Sequence, residues 1–477
     1  MKRLNNLLTL LMTIGLIGLT QFNMGCANII PPQGGPRDSL PPVLIKVSPA
    51  DSNKNFKGNK INFYFDEYID LQSIQENLIV SPLPENNPNV EFKLREMNVK
   101  LKDSLKPNTT YILEFNSVVK DFNEGNVLKK LKYVFTTGSY LDSLEIDGHL
   151  LIAETGRADS TMIVLLHTDG SDSAISKSKP AYITKPDNKG HFHFSNLPAR
   201  TFYLYALKDE GGSKRYNGGA QLMAFADSAV IPSSKKMDIE LAAFTAKPSS
   251  AATTFFGPTD NTGKKKPDQD KRLKIQNDLA MGQQDLLNPL TLSFEQALKV
   301  YDSTGIGLYA DSTYTKITNC KISTDSSLKK IIIQTPWEED RTYHLILNKD
   351  FATDSADKKL LKTDTLNFKT KKKLDYGSLK LKLRKLDIKL NPVLQFTQQD
   401  RVIYSVALQG SEFNSELFQP GEYQLRIVID KNKNGKWDSG DFYNGKKQPE
   451  KVIPIEKKIT IKSAWTNEFD IDIPINL

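Results

Sequence analysis

The stretch GHFHFSNLPARTFYLYALKD, from Gly190 to Asp209, decides the fold class of this chain. Bulky apolar residues alternate with polar or amphipathic ones around Phe192–Phe194 and again over Phe202–Ala206, and a polar turn separates the two runs. Alternation of this kind places successive side chains on opposite faces of a pleated strand. The stretch therefore predicts two neighbouring strands, each with one face against a core.

The same alternation recurs along most of the chain. Clusters of Asn, Gly, Pro and Asp interrupt the runs at short intervals, which is typical of β-sandwiches. Two segments, DLQSIQENL and EQALKVYDS, are candidates for short helices. The further strand candidates are INFYF (Ile61–Phe65), YILEF (Tyr111–Phe115), YHLIL (Tyr343–Leu347) and YQLRIVI (Tyr423–Ile429).

The chain repeats itself in two parts. The first part runs from KINFYFDEYIDLQS to YVFTTG and returns as PLTLSFEQALKVYDS to LNFKTK, so that Tyr343 is the counterpart of Tyr111. The second part contains the opening stretch and returns as NSELFQPGEYQLRIVIDKNKNGKWD, so that Asp430 is the counterpart of Asp209. We name these parts modules A, B, A′ and B′.

An all-β fold of tandem β-sandwiches in the order A-B-A′-B′ is therefore expected. Between the two pairs lies a linker rich in Pro, Gly, Ser and Lys, which cannot bury enough apolar surface to fold. The predicted segments are a signal peptide (1–25), a lipidated tether (26–41), module A (42–140), module B (141–243), a flexible linker (244–271), module A′ (272–373) and module B′ (374–477).

Composition limits the classes of function. A length of 477 residues suggests about three to five domains, and 39% hydrophobic with 25% charged residues is typical of a soluble globular chain. The formal charge of +8 is spread along the sequence without a long Lys/Arg block. A nucleic-acid-binding surface would need those charges on one face, so no nucleic-acid partner is expected.

The N-terminus predicts export and a lipid anchor. Lys2 and Arg3 precede the apolar run LLTLLMTIGLIGL, as in a secretory signal peptide. MGC, ending at Cys26, resembles the lipobox of bacterial lipoproteins, although Asn23 stands where an apolar residue is usual. The alternative is a plain secreted protein with an incidental cysteine. Lipid on Cys26 would anchor the chain to an outer membrane and leave Cys320 without a disulfide partner.

Both modules resemble known families. PPVLIKVSPAD, FDEYID, LKPNTTY, VKDFNEGN and FTTG make module A similar to the bacterial Ig-like domain. The Gly-x-Phe strand, the Asn-Leu-Pro turn and the Tyr-rich strand make module B similar to the transthyretin-like, carboxypeptidase-regulatory sandwich. The whole chain resembles Ig-like domain lipoproteins of the Bacteroidota. That resemblance implies display outside the cytoplasm with protein or glycan contacts, and no chemistry of its own.

A calcium loop is the most specific site signal. In the segment DKNKNGKWDSGD, Gly435 falls at position 6 of a twelve-residue loop whose oxygen ligands come from positions 1, 3, 5, 7, 9 and 12. The flanking strand and the Asp at position 12 depart from a helix-loop-helix site, and an Asx-rich hairpin turn is the alternative. The predicted ligands are Asp430, Asn432, Asn434, the Lys436 carbonyl, Asp438 and Asp441.

Catalytic signatures are missing from the sequence, which predicts a protein that is not an enzyme. His191 and His193 share one strand face and could hold a transition metal, but solvated strand residues are the favoured interpretation, and His149, His167 and His344 are taken as isolated. A hydrolase would require a cleft that unites Asp66, Glu67 and Asp121.

The sequence thus predicts a non-enzymatic, lipid-anchored lipoprotein of the outer membrane, on its periplasmic or its surface face. It would serve as an envelope scaffold or protein-binding module, with a structural calcium ion. The alternative is a glycan-binding or glycan-processing accessory protein. Exposed aromatic residues would favour that alternative, and Trp337 and Trp465 are the candidates.

Overall fold

The computed structural model describes residues 37–218, 220–235, 237–245 and 272–474. The predicted signal peptide, Cys26 and nearly all of the linker lie outside the described residues. Strands make up 48% and helices 4% of the structure, which confirms the all-β fold of tandem sandwiches. None of the described helices has the length and apolarity that a membrane crossing requires.

The chain divides into two compact units, Met1–Leu141 and Asp142–Leu477. The first contains module A and the second contains modules B, A′ and B′. This division does not test the predicted module boundaries, which stay predictions.

Module A is a sandwich of a four-stranded sheet, β1-β2-β6-β5, and a three-stranded sheet, β10-β7-β4, with a small sheet β3-β8-β9 beside them. Phe63 packs edge-on against Phe115 and Tyr133 between the sheets, with ring centroids 5.4 and 5.5 Å apart. One short helix, α1 (Ile74–Asn77), lies within the first helical candidate. The strands are β1 (Leu44–Ser48), β2 (Lys60–Phe65), β3 (Ile69–Leu71), β4 (Leu78–Ser81), β5 (Asn89–Lys93), β6 (Glu96–Lys100), β7 (Thr110–Phe115), β8 (Val119–Asp121), β9 (Val127–Leu128) and β10 (Leu131–Thr136).

Module A′ repeats this arrangement. Its sheets are β18-β20-β25-β24, β19-β28-β26-β22-β23 and the pair β21-β27, which match the sheets of module A with β19 and β23 added and without a counterpart of β9. The helix expected at EQALKVYDS is wrong, because Leu298 and Tyr301 pair with the strand that ends at Asp354. The strands are β18 (Ile275–Asn277), β19 (Gln283–Gln284), β20 (Leu290–Phe294), β21 (Leu298–Tyr301), β22 (Ile306–Ala310), β23 (Thr315–Lys316), β24 (Lys321–Thr324), β25 (Lys330–Gln334), β26 (Thr342–Leu347), β27 (Ala352–Asp354) and β28 (Asp364–Thr370), with a 3-10 turn at Ser303–Gly305.

Module B forms a seven-stranded sheet in the order β13-β12-β15-β16-β17-β11-β14, in which β11 and β17 are parallel. The opening stretch supplies β14 and β15, as predicted. Phe192, Phe194 and Phe202 are buried in the core of this module. The strands are β11 (Leu144–Ile152), β12 (Ile163–His167), β13 (Tyr182–Thr184), β14 (His191–Leu197), β15 (Tyr203–Leu207), β16 (Leu222–Phe225) and β17 (Ile239–Thr245), with helix α2 at Ala174–Lys177.

Module B′ has the same topology, divided into the sheets β31-β30-β33-β34 and β32-β29-β35. The parallel pair β29-β35 corresponds to β11-β17, and a register shift interrupts β29-β32 as it interrupts β11-β14. The strands are β29 (Gly377–Arg384), β30 (Pro392–Gln398), β31 (Arg401–Ala407), β32 (Glu412–Phe418), β33 (Gly421–Ile429), β34 (Val452–Ile461) and β35 (Thr466–Asp472), with 3-10 turns at Lys373–Asp375 and Ile388–Leu390.

Modules B and B′ pack directly against each other, although module A′ separates them in sequence. Phe442, on the long loop between β33 and β34, is buried and its ring lies edge-on to Tyr205 and Phe225, with centroids 5.9 and 5.2 Å apart. Ser439 Oγ on the same loop donates a hydrogen bond to the Thr245 carbonyl at 2.6 Å. The loop that begins at Asp430 is therefore part of an intramolecular interface.

A buried arginine adds a second contact between these modules. Arg426 on β33 is only 5% exposed. Its Nε donates to Gln395 Oε1 at 2.8 Å and its Nη1 donates to the Glu154 carbonyl of module B at 2.6 Å. Because the guanidinium is buried, both of these acceptors are needed to offset its lost hydration.

We predict that Gly440→Ala weakens this interface. A Cβ at Gly440 would lie 2.7 Å from the Phe244 ring and 2.8 Å from the Lys447 carbonyl oxygen, so the loop would have to move. Overpacking of this kind costs about 1–3 kcal/mol. Hydrogen exchange of the β16 and β17 amides in the full chain should become faster. Gly410→Ala is the matched control, because its Cβ would meet no atom within 4 Å, and equal exchange in both variants would contradict the prediction.

Candidate metal-binding sites

The loop that follows β33 is organised around the Asp430 carboxylate. Asp430 is 2% exposed. Its Oδ1 accepts a hydrogen bond from the Asn434 N–H at 3.2 Å and its Oδ2 accepts one from the Gly435 N–H at 2.7 Å. Gly435 has φ +76°, a left-handed conformation that glycine adopts without strain. Asp430 thus holds the first half of the predicted calcium loop in a tight turn.

Three more of the predicted ligands converge on this turn. The side-chain amides of Asn432 and Asn434 both donate to Asp438 Oδ2, the latter at 2.8 Å. Asn432 Oδ1 accepts the Asn434 N–H at 3.0 Å, and Asn434 Oδ1 accepts the Lys436 N–H at 2.7 Å. Calcium requires oxygen ligands, and rotating each amide by a half-turn exchanges its nitrogen for its oxygen. After that rotation all four side chains would present oxygen atoms at this turn, and the N–H groups of Asn434 and Lys436 would lose their present acceptors.

Asp441 is engaged elsewhere. Its Oδ1 and Oδ2 accept hydrogen bonds from the backbone and side-chain nitrogens of Asn444 at 3.0 and 2.9 Å, and its backbone bridges to Lys447. The Asn444 side-chain hydrogen bond, with that of the Asn444 N–H, lowers the pKa of Asp441. The structure thus brings Asp430, Asn432, Asn434 and Asp438 together. The Asp441 carboxylate instead forms part of a second turn, with Asn444.

Glu450 is a loop residue that sequence reasoning missed. It is 4% exposed, and its Oε1 and Oε2 accept hydrogen bonds from the N–H groups of Lys431 and Asp438 at 2.8 and 3.0 Å. The indole Nε1 of Trp437 donates to the Glu450 carbonyl at 2.9 Å. Glu450 therefore ties the two ends of the loop together from a position outside the twelve-residue motif, where the motif gives no signal for it.

The corresponding loop of module B begins with the same turn, and Gly211, Ser213 and Asn217 stand where module B′ has Asn432, Asn434 and Asp438. Asp209 Oδ2 accepts the Lys214 N–H, five residues on, at 2.9 Å, just as Asp430 accepts from Gly435. Positive φ angles recur at matching positions, +67° and +54° at Gly212 and Lys214 against +62° and +76° at Lys433 and Gly435. This turn therefore forms in module B with a glycine at the position of Asn432.

The histidines of module B are less isolated than the sequence suggested. His191 and His193 lie on one face of β14, as predicted, and both are partly exposed. His149 on β11 pairs with His191 across the sheet, with ring centroids 5.4 Å apart, so the interpretation of His149 as isolated is wrong. Pairing between two strands that are distant in sequence brings these residues together, which no local pattern reveals.

His167 and His344 are not ligand candidates. His167 is 1% exposed and its ring lies edge-on to Tyr205, and burial lowers the pKa of His167 to about 4. The group is therefore neutral and enclosed. His344 stacks on Tyr314 at 4.3 Å, and its Nδ1 lies 2.6 Å from Asn367 Oδ1.

The acidic residues proposed for a hydrolase cleft have structural partners. Asp121 is 1% exposed and accepts hydrogen bonds from the N–H groups of Glu124, Gly125 and Asn126 at 2.5, 2.9 and 2.8 Å. Burial alone would raise the pKa of Asp121, but these donors lower it. Asp66 Oδ1 accepts the Val43 N–H at 2.8 Å.

The pKa of Glu67 is shifted in the opposite direction to that of Asp121. Burial, together with the negative charges of Asp121 and Asp66, raises the pKa of Glu67. The Asp121 carboxylate, in contrast, already accepts three N–H groups, which makes it a poor general base. Asp121 therefore serves the loop after β8, and Asp354 does the same in module A′ by accepting from the N–H groups of Ala356 and Lys358.

The tryptophans differ in exposure. Trp337 packs on Tyr343 and Phe368, with ring centroids 5.1 and 5.7 Å apart, and its Nε1 donates to the Asn288 carbonyl at 3.0 Å. Trp465 is 64% exposed, with Lys462 Nζ 5.4 Å from its ring centroid. Trp337 is thus part of the core of module A′, and of these two candidates only Trp465 is available for a ligand.

Comparison with known families supports the interpretation of module A. Residues 38–137 match the model of the bacterial Ig-like domain. The matched span covers the Pro-rich opening and the first three residues of the closing FTTG motif. The predicted resemblance of module A is therefore confirmed, whereas the lipoprotein and Bacteroidota parts of the resemblance are not shown. No curated protein matches the chain.

Solved structures with some likeness to the chain include surface proteins of bacteria. The major pilin subunit BcpA of Bacillus cereus is 9% identical over 70% of this chain and 99% of its own, with a TM-score of 0.17. The Bacillus anthracis TIE protein is 10% identical over 93% and 76%, with a TM-score of 0.17. The S-layer protein SbsC is 11% identical over 89% and 67%, with a TM-score of 0.16. Such low TM-scores carry no inference about this chain.

We predict that Glu450→Ala loosens the Asp430 loop. The substitution leaves the N–H groups of Lys431 and Asp438 without their acceptor, at a cost of about 1–3 kcal/mol for a buried group. Amide exchange at Lys431 and Asp438 should become faster in the full chain. Glu456→Ala, on the exposed face of β34, should leave both amides unchanged. Wild-type protection in Glu450→Ala would contradict the role assigned to Glu450.

Proposed function

We propose that this protein is a non-enzymatic lipoprotein of the bacterial outer membrane, anchored through Cys26. It acts as an envelope scaffold that binds an extended segment of another envelope protein along strand β31. The observation that carries the proposal is the open apolar edge of module B′. The Ig-like module A, the β-sandwich fold and the structural use of the acidic residues near Asp121 are consistent with a scaffold.

Strand β31 lies at the edge of the sheet β31-β30-β33-β34. Its residues Val402, Ile403 and Tyr404 are 43%, 46% and 44% exposed. An edge strand presents unpaired backbone N–H and C=O groups, which can pair with a strand from another chain. Natural edges of this length are usually protected by charge, proline or a covering segment, and β31 carries only Arg401 as a charged residue.

Module B provides an internal comparison. The strand that corresponds to β31 is β13, at the edge of the equivalent sheet. It is three residues long and all three are buried, with Tyr182 packed edge-on against Phe202. The same topology thus has a short, covered edge in module B and a seven-residue, exposed edge in module B′. This difference favours a strand-adding partner at β31.

Anchoring and docking can be tested together in membranes of the source bacterium. Chemical cross-linking of the wild-type chain should give a complex with an envelope protein. Ile403→Lys should remain in the membrane fraction and lose most of the complex, because the added charge opposes burial of the edge. Cys26→Ser should move to the soluble fraction, because acyl chains supply the anchor.

The controls separate docking from general damage. Ile231→Lys introduces the same charge at a residue of module B that is 61% exposed, and it should retain the complex. A cross-linked product that contains only two copies of this chain would contradict the proposal that β31 binds a different protein. Binding to a glycan array that persists in Ile403→Lys and is lost with a change at Trp465 would instead favour the glycan-binding alternative. A membrane-bound Cys26→Ser would overturn lipid anchoring.

We also propose that the Asp430 loop binds one structural calcium ion, through Asp430, Asn432, Asn434, the Lys436 carbonyl and Asp438. The ion would neutralise two carboxylates in a loop that carries Phe442 into the interface with module B. The support is the spacing of these residues in the sequence, together with the hydrogen bonds that the Asn432 and Asn434 amides both donate to Asp438 Oδ2. Asp441 would become a ligand only by releasing Asn444.

Calcium should raise the unfolding temperature of the full chain relative to chelator. At a free concentration of about 100 times Kd, binding adds about 2.7 kcal/mol to the free energy of unfolding. Asp438→Asn should remove most of the response, because it removes one of the two charges. Asp441→Asn should retain it. A wild-type chain that unfolds identically in chelator and in calcium would show that the loop is an Asx-rich turn alone.

A further inference from the structure

Strands β11, β14 and β17 gather three of the five histidines of the chain on one outer face. Glu145, Asp147 and His149 alternate along β11 with the buried residues Ile146, Gly148 and Leu150, so all three point away from the core. Across the antiparallel pair, Asp147 faces His193 and His149 faces His191. Asp238, next to β17, approaches His149, with a distance of 2.8 Å from Oδ1 to Nδ1.

The ligand atoms are close enough to share one ion. In the part of the chain that the structure describes, Glu145, Asp147 and His193 form the one set of three His, Cys, Asp or Glu residues whose ligand atoms all lie within 4.8 Å of one another. His193 Nδ1 lies 2.8 Å and His191 Nε2 lies 3.6 Å from the same oxygen, Asp147 Oδ1. Ligand atoms in a tetrahedral zinc site lie about 3.3–3.8 Å apart, so small side-chain rotations suffice.

We propose that this face binds a divalent transition-metal cation of the zinc type, through His193, His191, Asp147 and Glu145. Imidazole and carboxylate ligands together select Zn²⁺ or Cu²⁺ over Ca²⁺ and Mg²⁺. The site is open to solvent, since His191 and His193 are 39% and 42% exposed, so an ion can enter it from solution. It is separate from the Asp430 loop and independent of the scaffold role proposed above.

Ordinary ion pairing explains this arrangement less well. Within the described residues, neither Glu145 nor Asp147 forms an ion pair with a lysine or arginine, and both imidazoles instead approach one oxygen of a carboxylate that is only 14% exposed. A divalent cation would neutralise both carboxylates and bond to both neutral imidazoles.

Module B′ shows that the sheet does not need these residues to form. The register shifts place Leu144 opposite Leu197 and Gly377 opposite Phe418, which makes Lys380 and Asn414 the counterparts of Asp147 and His193. Lys382 and Glu412 then correspond to His149 and His191. Lys380 Nζ bonds Glu468 Oε1 at 2.9 Å, an ordinary surface pair. The same positions thus carry metal ligands in one copy and a lysine-glutamate surface in the other.

The test is a calorimetric titration of the full chain in detergent with Zn²⁺, in excess Ca²⁺ so that the Asp430 loop is saturated. One Zn²⁺ per chain should bind and be released by a chelator. His193→Asn, which installs the residue that module B′ has, should weaken Zn²⁺ binding at least about tenfold. His191→Gln should do the same, and each variant should unfold like the wild type in chelator.

Two control variants identify the ligands. His344→Asn removes a histidine outside the cluster, and Cys320→Ser removes a thiol; both should bind Zn²⁺ like the wild type. Co²⁺ in place of Zn²⁺ should give a visible spectrum of nitrogen and oxygen ligands without thiolate bands. Zn²⁺ affinity that is equal in the wild type, His193→Asn and His191→Gln, or that is lost in Cys320→Ser, would overturn the proposal.

Discussion

Buried carboxylates that accept several backbone N–H groups shape the long loops on which the rest of this structure depends. Asp121 accepts three such groups, Asp354 and Asp430 two each, and Glu450 two. Cys320 is a free thiol, so these loops are held without a disulfide to it. A hydrogen bond to a charged acceptor is stronger than one to a neutral acceptor, so one or two carboxylates are enough to close each loop.

The Asp430 loop links this local chemistry to the arrangement of modules. Asp430 and Glu450 fix its two ends, and the segment beyond carries Phe442 between the rings of Tyr205 and Phe225. A distortion of this loop would therefore also disturb module B, although module A′ lies between modules B and B′ in the sequence. A bound calcium ion would act on the same segment, so its stabilising effect would reach the interface as well as the loop.

Strands and repeats could be predicted from the sequence, and contacts between distant segments could not. The alternation of apolar and polar residues in a strand is a local sequence pattern, so β14 and β15 are predictable. EQALKVYDS, in contrast, forms a strand because the distant strand β27 supplies hydrogen bonds for it. The four converging side chains of the Asp430 loop are close together in the chain, so their proximity follows from spacing. Glu450, and the meeting of His149 with His191, depend on pairing between distant strands, which no local motif encodes.

The two copies of the B topology separate what the fold requires from what has been added to it. Both copies keep the parallel pair, the register shift and the aspartate that turns the loop. Of these two modules, as far as the structure describes them, B alone has carboxylates and imidazoles gathered on its outer face, and B′ alone has a seven-residue, exposed edge strand. Residues that one copy lacks cannot be needed to form the shared sheet. The differences between the copies therefore lie outside what the shared topology requires.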